Sequence, residues 1–286
     1  MTRTAASIVE IRRGSSIITA LDWGGTGPAV VLLHPNGFCA GLFEPIARGL
    51  PETCRPIAID LRGHGTSTGS VDAAAYGFDR LAADVAAVID AMALDRVVGV
   101  GASLGGAVAI MADKANPGLW QGLLLAEPVA FPAMEFGLET ENPMAAGARR
   151  RRRTFPNQKT MIAAYSRRAP LSELAPEALE AYVRWGTTTD SEGTHLRCDP
   201  KVEATIFEVS ATAIGASAAW DHLPRLSCPL TIVAGSETFL PDMFTTQAEH
   251  AGAPLLTVPG GHFVLHEDTA RGVELINRHV LEPSRR

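Results

Sequence analysis

Residues 96–106 read RVVGVGASLGG, and this stretch decides the fold. The apolar run Arg96–Val100 predicts a buried strand, and Leu104–Lys114 predicts a helix. Between them stands the pattern G-x-S-x-G, whose serine is Ser103. Such a pattern forms a sharp turn that strains the serine backbone and exposes its hydroxyl, and its glycines keep Cβ atoms out of the way. We therefore predict that Ser103 is a nucleophile rather than part of an ordinary turn rich in small residues.

Short apolar runs and helical periodicities alternate on both sides of this motif. The alternation predicts a parallel sheet with right-handed crossovers and helices on both faces. Residues 7–23 alternate apolar and polar side chains and predict two antiparallel strands ahead of it. The other predicted strands are Ala29–Leu33, Pro56–Ile59, Gly122–Ala126, Leu230–Ala234 and Leu255–Val258, and the other predicted helices are 42–50, 78–94, 242–251 and 268–281.

Residues 131–222 interrupt this alternation and contain no convincing buried strand. A connection of roughly 90 residues is too long for a plain loop. We therefore predict an α/β core of residues 1–130 and 223–286 with an inserted helical cap at 131–222. Within the predicted cap the helical stretches are 157–168, 176–186 and 200–213.

The composition is that of an ordinary globular protein: 286 residues, 46% of them hydrophobic and 20% charged, with a net charge of −6. This acidic balance predicts no general affinity for nucleic acid. The five arginines Arg149–Arg153 have two interpretations, a patch that binds nucleic acid or an anionic substrate, or a solvated helix face. Residues 131–222 carry 11 Lys+Arg and 12 Asp+Glu, which favours the solvated face.

Cysteine usage and hydropathy bear on the compartment. None of the four cysteines belongs to a C-x-x-C pair, so we predict neither a zinc ribbon nor a thioredoxin-like site. The N-terminus lacks the apolar run of a signal peptide, and no apolar run reaches the roughly 18 residues that a membrane helix needs. We therefore expect a cytoplasmic protein with reduced thiols and no membrane span.

Three further motifs follow predicted strands. In chain order they are HPNG at 34–37, DLRGHG at 60–65 and GGHF at 260–263. With the serine motif, they give a chain that resembles the α/β-hydrolase superfamily over nearly its whole length. The resemblance implies a mostly parallel eight-stranded sheet with helices on both faces and an inserted helical cap. Within that cap, HLRCDP at 195–200, followed by Glu203-Ala204, is similar to a stretch of many capped hydrolases of unassigned substrate.

A serine hydroxyl needs a base to take its proton, and His262 is the best candidate. It follows the last predicted core strand, where the family places its base, and the chain order Ser…His is the expected one. His266 lies four residues further on and is the closest competitor. His34 and His64 belong to turns, where we expect hydrogen bonds to the backbone to satisfy them.

The acid departs from the usual pattern of the superfamily. Most relatives carry an aspartate at the position of Thr238, which cannot stabilise an imidazolium as a carboxylate does. Glu237 and Asp242 are alternative acids in the same loop. Glu127, at the end of the strand before the predicted cap, is the acid we favour. Its placement resembles that in zearalenone-lactone hydrolases and some haloalkane dehalogenases, and it implies the triad Ser103–Glu127–His262.

An oxyanion hole needs two donors. The backbone amide of Leu104, directly after the nucleophile, is one. Pro35 has no N–H, so Asn36 is the candidate for the other, by its backbone amide and also its side chain. The turn suggests a cis His34–Pro35 bond. The aromatic residues considered as a substrate pocket are Phe38, Tyr165, Tyr182, Trp185 and Phe263.

Together these residues predict acyl transfer to water. We expect a serine hydrolase that cleaves a carboxylic ester or lactone of a small organic molecule through an acyl-enzyme, with a slight preference for lactones by analogy of the acid. Two alternatives stay open: a carbon–carbon bond hydrolase of the meta-cleavage type, and a slow-turnover ligand receptor. The reaction needs no cofactor or metal. The expected partner is a small-molecule substrate, and the expected state is a monomer or homodimer.

Overall fold

The computed structural model describes residue 3 and residues 5–133 and 142–281. Eight of the strands in these residues form one sheet in the order β1-β2-β4-β3-β5-β6-β10-β11, and three form a small second sheet in the order β7-β9-β8. In chain order the strands are β1 Ser7–Arg13, β2 Ser16–Asp22, β3 Ala29–Leu33, β4 Arg55–Asp60, β5 Val97–Ala102, β6 Gly122–Ala126, β7 Thr154–Phe155, β8 Thr187–Asp190, β9 Gly193–Leu196, β10 Leu230–Gly235 and β11 Leu255–Val258.

The large sheet is parallel from β4 to β11 and antiparallel only at its first edge. β1 pairs with β2 antiparallel, from Ser7 opposite Asp22 to Arg13 opposite Ser16, and β2 also runs antiparallel to β4. The pairs β4–β3, β3–β5, β5–β6, β6–β10 and β10–β11 are all parallel. The predicted mostly parallel eight-stranded sheet is therefore confirmed.

Helices cover both faces of this sheet, as the strands themselves require. β3, β5 and β6 are buried along their whole length, which explains their unbroken apolar sequences. Val31 and Leu33 of β3 join a core with α2, α3 and α8, while Val30 and Leu32 join a core with α1 and α11. The helices are α1 Glu44–Gly49, α2 Phe78–Ala91, α3 Leu104–Ala115, α4 Pro143–Arg149, α5 Gln158–Tyr165, α6 Pro176–Trp185, α7 Pro200–Ser210, α8 Ala216–His222, α9 Pro241–Ala251, α10 Val264–Glu267 and α11 Thr269–Ile276.

Two predicted helices are divided in the structure. The predicted helix 42–50 is a 3₁₀ turn at Ala40–Phe43 followed by α1, in which Pro45 occupies the first turn, where its missing N–H costs nothing. The predicted helix 268–281 is preceded by α10. Its first part is α11, which is capped by Asp268, whose side chain accepts a hydrogen bond from the Arg271 amide, and it continues as a π-helical turn at Asn277–Leu281.

The segment between β6 and β10 contains α4–α8, and it also contains the second sheet, which the helical prediction missed. β8 and β9 form a hairpin in which Asp190 Oδ1 accepts from the amides of Glu192, at 2.8 Å, and Gly193, at 3.2 Å. Threonines fill β8 because β-branched residues favour strands. A separate cap domain at 131–222 stays a prediction, and its residues 134–141 lie outside the described residues.

Candidate active site

Four of five neighbouring parallel strands deliver the candidate residues to one edge of the sheet. Ligands of open α/β sheets bind beyond the carboxyl ends of the strands. The segment Pro35–Gly37, called the oxyanion loop below, follows β3 closely; Ser103 follows β5, Glu127 follows β6, and His262 lies in the loop after β11. The strand order β3-β5-β6-β10-β11 therefore brings distant parts of the sequence together.

Ser103 sits on a strained turn between β5 and α3. Its φ is 53° and its ψ is −115°, a backbone conformation that non-glycine residues rarely adopt. The neighbouring glycines are required by space. A Cβ on Gly101 would lie 2.6 Å from Gly105 O, and a Cβ on Gly105 would lie 2.1 Å from Leu33 O. This is the sharp turn that the G-x-S-x-G pattern predicts.

His262 lies between the serine and an acid. Its Nε2 is 3.1 Å from Ser103 Oγ, and its Nδ1 is 2.7 Å from Glu127 Oε2. The loop that carries it is fixed by Glu267, whose carboxylate accepts from the amides of Gly261 at 2.7 Å and Phe263 at 2.9 Å. One imidazole thus touches both the candidate nucleophile and a carboxylate.

Glu127 is fully buried, and its carboxylate has three donors around it. Oε1 accepts from the Gly235 amide at 2.9 Å, and Oε2 accepts from Thr238 Oγ1 at 2.8 Å in addition to facing His262. Its backbone φ of 45° is also unusual. Thr238, at the position where the family resemblance leads one to expect the acid, donates a hydrogen bond to Glu127 instead.

The two alternative acids lie elsewhere. Glu237 and Asp242 are exposed, and within the described residues neither has a hydrogen bond or ion pair to His262. Asp242 lies in the first turn of α9, where a carboxylate favours the helix dipole. Of the three acids considered from the sequence, the structure brings only Glu127 to the imidazole.

The oxyanion loop and the start of α3 each place one candidate donor residue at the same cavity. Asn36 and Leu104 both line the cavity that contains Ser103 and His262. Among the described residues, neither amide has a hydrogen-bond acceptor in the protein. The Asn36 side chain, proposed as a further donor, instead points its Nδ2 to Glu203 O at 2.9 Å. The expected cis His34–Pro35 bond is also wrong, because the cis bond in the described residues is Ala169–Pro170.

The other histidines of the motifs are structural. His34 Nε2 accepts from the Leu61 amide at 3.0 Å, and His64 Nε2 accepts from the Gly37 amide at 3.0 Å. Burial lowers the pKa of His34 to about 4 and that of His64 to about 3, so both rings stay neutral. His266 is buried against Phe43, and burial lowers its pKa to about 3 as well. None of the three has a described contact with Ser103 Oγ.

A cavity of about 350 Å³ opens onto the candidate residues. It lies between the core and the segment that joins β6 to β10. Apart from His262, no ionisable side chain lines it in the described part of the chain. The side chains that form its walls include Val129, Phe131, Met144, Phe207, Thr212, Phe239, Leu240 and Phe244.

The five aromatic residues considered as a pocket do not line this cavity, and that prediction is corrected. They pack in or against a separate apolar cluster in which α5 and α6 meet the turn after β3. Helical spacing of aromatics indicates a buried face but cannot tell which neighbour buries it. Conversely, Met144, Phe207 and Phe239 were missed, since no local pattern marks a wall formed by three separate segments. The five are Phe38, Tyr165, Tyr182, Trp185 and Phe263.

The arginine run is neither a basic patch nor a plain solvated helix face. α4 ends at Arg149, and the following arginines lie outside any helix. Three of them pair with acids of the same segment: Arg149 with Glu208, Arg151 with Glu203 at 2.7 Å and Arg153 with Asp199 at 2.9 Å. Their charges are thus largely compensated locally.

No group of His, Cys, Asp and Glu side chains in the described residues has the geometry to hold a metal ion. In the same residues, no helix is long and apolar enough to cross a bilayer.

The fold and the site together define a class of protein. The model of the Alpha/beta hydrolase family matches residues 30–275. The chain belongs to the alpha/beta hydrolase family, and it is a hydrolase.

Individual relatives are more distant. Esterase Rv0045c of Mycobacterium tuberculosis is 27% identical over 271 residues, which cover 93% of this chain and 86% of that protein. The thioesterase domain from the curacin biosynthetic pathway has a TM-score of 0.80 at 23% identity, covering 96% of this chain and 100% of that one. E-2-(acetamidomethylene)succinate hydrolase has a TM-score of 0.79 at 19% identity, covering 97% and 99%. The two solved structures support the fold alone.

Proposed function

We propose that this protein is a serine hydrolase that cleaves a carboxylic ester or lactone of a small, uncharged organic molecule through an acyl-enzyme. One observation carries the proposal: His262 is within hydrogen-bond reach of both Ser103 Oγ, at 3.1 Å, and Glu127 Oε2, at 2.7 Å. A nucleophile, a base and an orienting acid in contact are the signature of acyl transfer by serine.

Acylation begins when Ser103 Oγ attacks the carbonyl carbon and His262 Nε2 takes the hydroxyl proton. The imidazolium that forms donates from Nδ1 to Glu127, whose carboxylate stabilises the positive charge. Gly235 and Thr238 donate to the same carboxylate and keep it aimed at the ring. The strained backbone of Ser103 places the serine in the wall of the cavity.

Negative charge then develops on the former carbonyl oxygen. The amides of Leu104 and Asn36 stabilise it, aided by the dipole at the N-terminus of α3. His262 returns its proton to the leaving alkoxide, and a water molecule, activated by the same ring, hydrolyses the acyl-enzyme. These steps need only the side chains and backbone amides of this chain and water.

The cavity supports the uncharged substrate class. Its walls are mostly apolar, and in the described part of the chain no lysine or arginine lines it. A carboxylate on the substrate would lose its hydration there without gaining a cation, which is costly. Met144 and Phe207 come from the predicted cap at 131–222, so we infer that this cap selects the substrate.

A fluorophosphonate probe tests the nucleophile. We expect labelling of the purified protein, full loss in Ser103→Ala, strong loss in His262→Ala, and unchanged labelling in Ser166→Ala, an exposed serine on α5's end. p-Nitrophenyl esters followed beyond one equivalent of product test turnover. Labelling that persists in Ser103→Ala refutes the assignment of Ser103 as the nucleophile. Release of only one equivalent of product from the p-nitrophenyl esters supports the slow-turnover ligand receptor instead.

A panel of matched substrates tests the bond and the charge. Each pair has equal chain length and ends in either a methyl group or a carboxylate, and the panel includes lactones and vinylogous diketones. We expect kcat/KM for the neutral esters to exceed that for the carboxylates by about tenfold or more. Cleavage of the diketones alone would move the function to carbon–carbon hydrolysis.

A further inference from the structure

The oxyanion loop is held from outside the core sheet by the segment that joins β6 to β10. Asn36 Nδ2 donates to the backbone oxygen of Glu203, in α7, at 2.9 Å. The carbonyl of Gly37 accepts from the Tyr182 hydroxyl at 3.1 Å and from Arg151 Nη1 at 3.4 Å. The proposed oxyanion donor therefore lies in a loop whose polar groups are bound by three residues that do not touch the cavity.

A buried ion pair lies behind this loop. Arg151 Nη1 is 2.7 Å from Glu203 Oε2, and the two side chains are only 16% and 12% exposed. Arg151 Nη2 also hydrogen-bonds the Tyr182 hydroxyl, and its guanidinium lies over the Tyr165 and Tyr182 rings. Burial raises the pKa of Tyr182 well above its ordinary value, although Arg151 opposes this, so the hydroxyl keeps the proton it donates to Gly37.

The contact between the ion pair and the loop is tight. Gly37 has a φ of 78°, and a Cβ added to it would lie 2.6 Å from Glu203 Cδ. On its inner side the Gly37 amide donates to His64 Nε2 at 3.0 Å. Both backbone polar groups of Gly37 are thus held, the amide by His64 and the carbonyl by Tyr182 and Arg151, while the preceding residue, Asn36, lines the cavity.

Stability alone is a weak explanation for this arrangement. Removing two charges from water is expensive, and buried ion pairs often contribute little net stability compared with apolar side chains of similar volume. The ion pair can instead fix the position of its neighbours, because a guanidinium has several donors in a rigid plane. Together with the carboxylate it can hold the groups of the oxyanion loop in one place. A small displacement of a donor in an oxyanion hole is costly for rate.

We propose that Arg151, Glu203 and Tyr182 are positioning residues that hold the backbone amide of Asn36 in the oxyanion hole. This inference rests on the proposed serine-hydrolase function. It gives the segment between β6 and β10 a part in the chemical step in addition to substrate selection. It also gives one member of the arginine run a specific role.

Arg151, Glu203 and Tyr182 are called the clamp below, and conservative variants of them test its role. Tyr182→Phe removes only the hydroxyl, and Glu203→Gln keeps the shape and the backbone oxygen that Asn36 uses. Loss of a whole oxyanion donor lowers kcat about 10²–10³-fold, so a displaced donor is expected to lower kcat about 10–100-fold with KM changed less than about threefold. The matched controls are Arg149→Met and Glu208→Gln, which break an ion pair on the same segment whose side chains are 41% and 45% exposed.

Binding of an alkylboronic acid separates positioning from general damage. The tetrahedral adduct on Ser103 places an oxygen in the oxyanion hole, so its Ki should rise by the same factor by which kcat/KM falls. The controls should keep wild-type kcat and Ki within about twofold. If the Tyr182 and Glu203 variants match these controls, the clamp is refuted.

A double variant covers the case in which the single variants are simply unstable. Arg151→Met/Glu203→Leu replaces the pair by apolar side chains, which is expected to restore Tm to near the wild-type value. The clamp predicts that this variant folds stably and stays slow; recovery of kcat together with Tm overturns it.

The outcomes also separate the two proposals. Activity in Ser103→Ala removes the serine-hydrolase function itself, whereas an inactive Ser103→Ala beside fully active clamp variants removes only the clamp.

Discussion

Replacing Glu127 with glutamine changes one oxygen into an amide nitrogen in a fully buried position. If that nitrogen faces Gly235, two N–H donors meet where the amide now donates to Oε1 at 2.9 Å. If it faces His262 instead, it donates to Nδ1 and drives the ring proton to Nε2. The second arrangement avoids the clash, and it leaves His262 in the tautomer that cannot accept the proton of Ser103.

The expected fall in kcat of Glu127→Gln follows from this tautomer and from the missing negative charge. The contact of 2.7 Å between Nδ1 and Oε2 is a charge-assisted hydrogen bond once the imidazolium forms. In a Ser-His-Asp triad the acid-to-amide change lowers kcat about 10⁴-fold. For Glu127→Gln we expect a fall of about 10³–10⁴-fold, equivalent to about 4–5.5 kcal/mol of transition-state stabilisation.

The assay is steady-state hydrolysis of the best neutral ester of the panel, with circular dichroism and Tm to show that the variant is folded. Asp242→Asn and Glu237→Gln are the matched controls, because both acids are exposed and lie in the loop after β10 or the first turn of α9. We expect each control to keep kcat within about twofold. A folded Glu127→Gln that retains more than about a tenth of kcat, or a control that loses more than Glu127→Gln, refutes the assignment.

Three further predictions test other parts of the structure. Thr238→Val removes the hydroxyl that donates to Glu127 Oε2 at 2.8 Å, and kcat should fall about tenfold while Thr238→Ser stays near wild type; equal rates for both would contradict the role. His266→Leu should make unfolding less dependent on acid. Because burial lowers the folded pKa of His266 from 6.5 to about 3, the unfolded chain binds the extra proton as pH falls below 6.5, and wild type should lose about 2 kcal/mol more than the variant between pH 7 and 5 in urea titrations. An equal loss in both proteins would show that His266 does not titrate in this way. Phe207→Ala enlarges the cavity, so kcat/KM for octanoyl relative to butanoyl esters should rise about tenfold, and an unchanged ratio would place the acyl chain elsewhere.

Most of the fold follows from local patterns in the sequence. The unbroken apolar runs of β3, β5 and β6 predict strands buried on both faces, and the structure buries every one of their residues. The hairpin of β8 and β9 was missed because its strands are only four residues long and rich in threonine. Such short polar strands depend on their turn, here at Asp190, more than on hydrophobic periodicity.

The candidate site was predictable where a motif fixes the backbone and unpredictable where side chains from distant segments meet. The glycine pattern around Ser103 dictates its turn, and the absence of a carboxylate at position 238 favours Glu127 as the acid. The destination of the Asn36 side chain depends on Glu203, which lies 167 residues away in the sequence, and no spacing rule connects the two. The walls of the cavity were equally unpredictable, because they too are formed by side chains from distant segments.

Because Thr238 contacts Glu127, we expect His262 to accept a carboxylate at position 127 or at position 238, but not at both. Thr238 Oγ1 lies 2.8 Å from the carboxylate oxygen that faces His262, so a carboxylate at position 238 would approach the same imidazole nitrogen. Thr238→Asp alone places two carboxylates in contact, which raises the pKa of one of them and disturbs the orientation of the ring, and it should lower kcat. In the Glu127→Gln background the same substitution supplies the missing charge and should recover about tenfold or more of the lost kcat. If Thr238→Asp lowers kcat in the wild type and raises it in Glu127→Gln, both positions serve one imidazole. If its effect on kcat is equal in both backgrounds, Thr238 and Glu127 act independently.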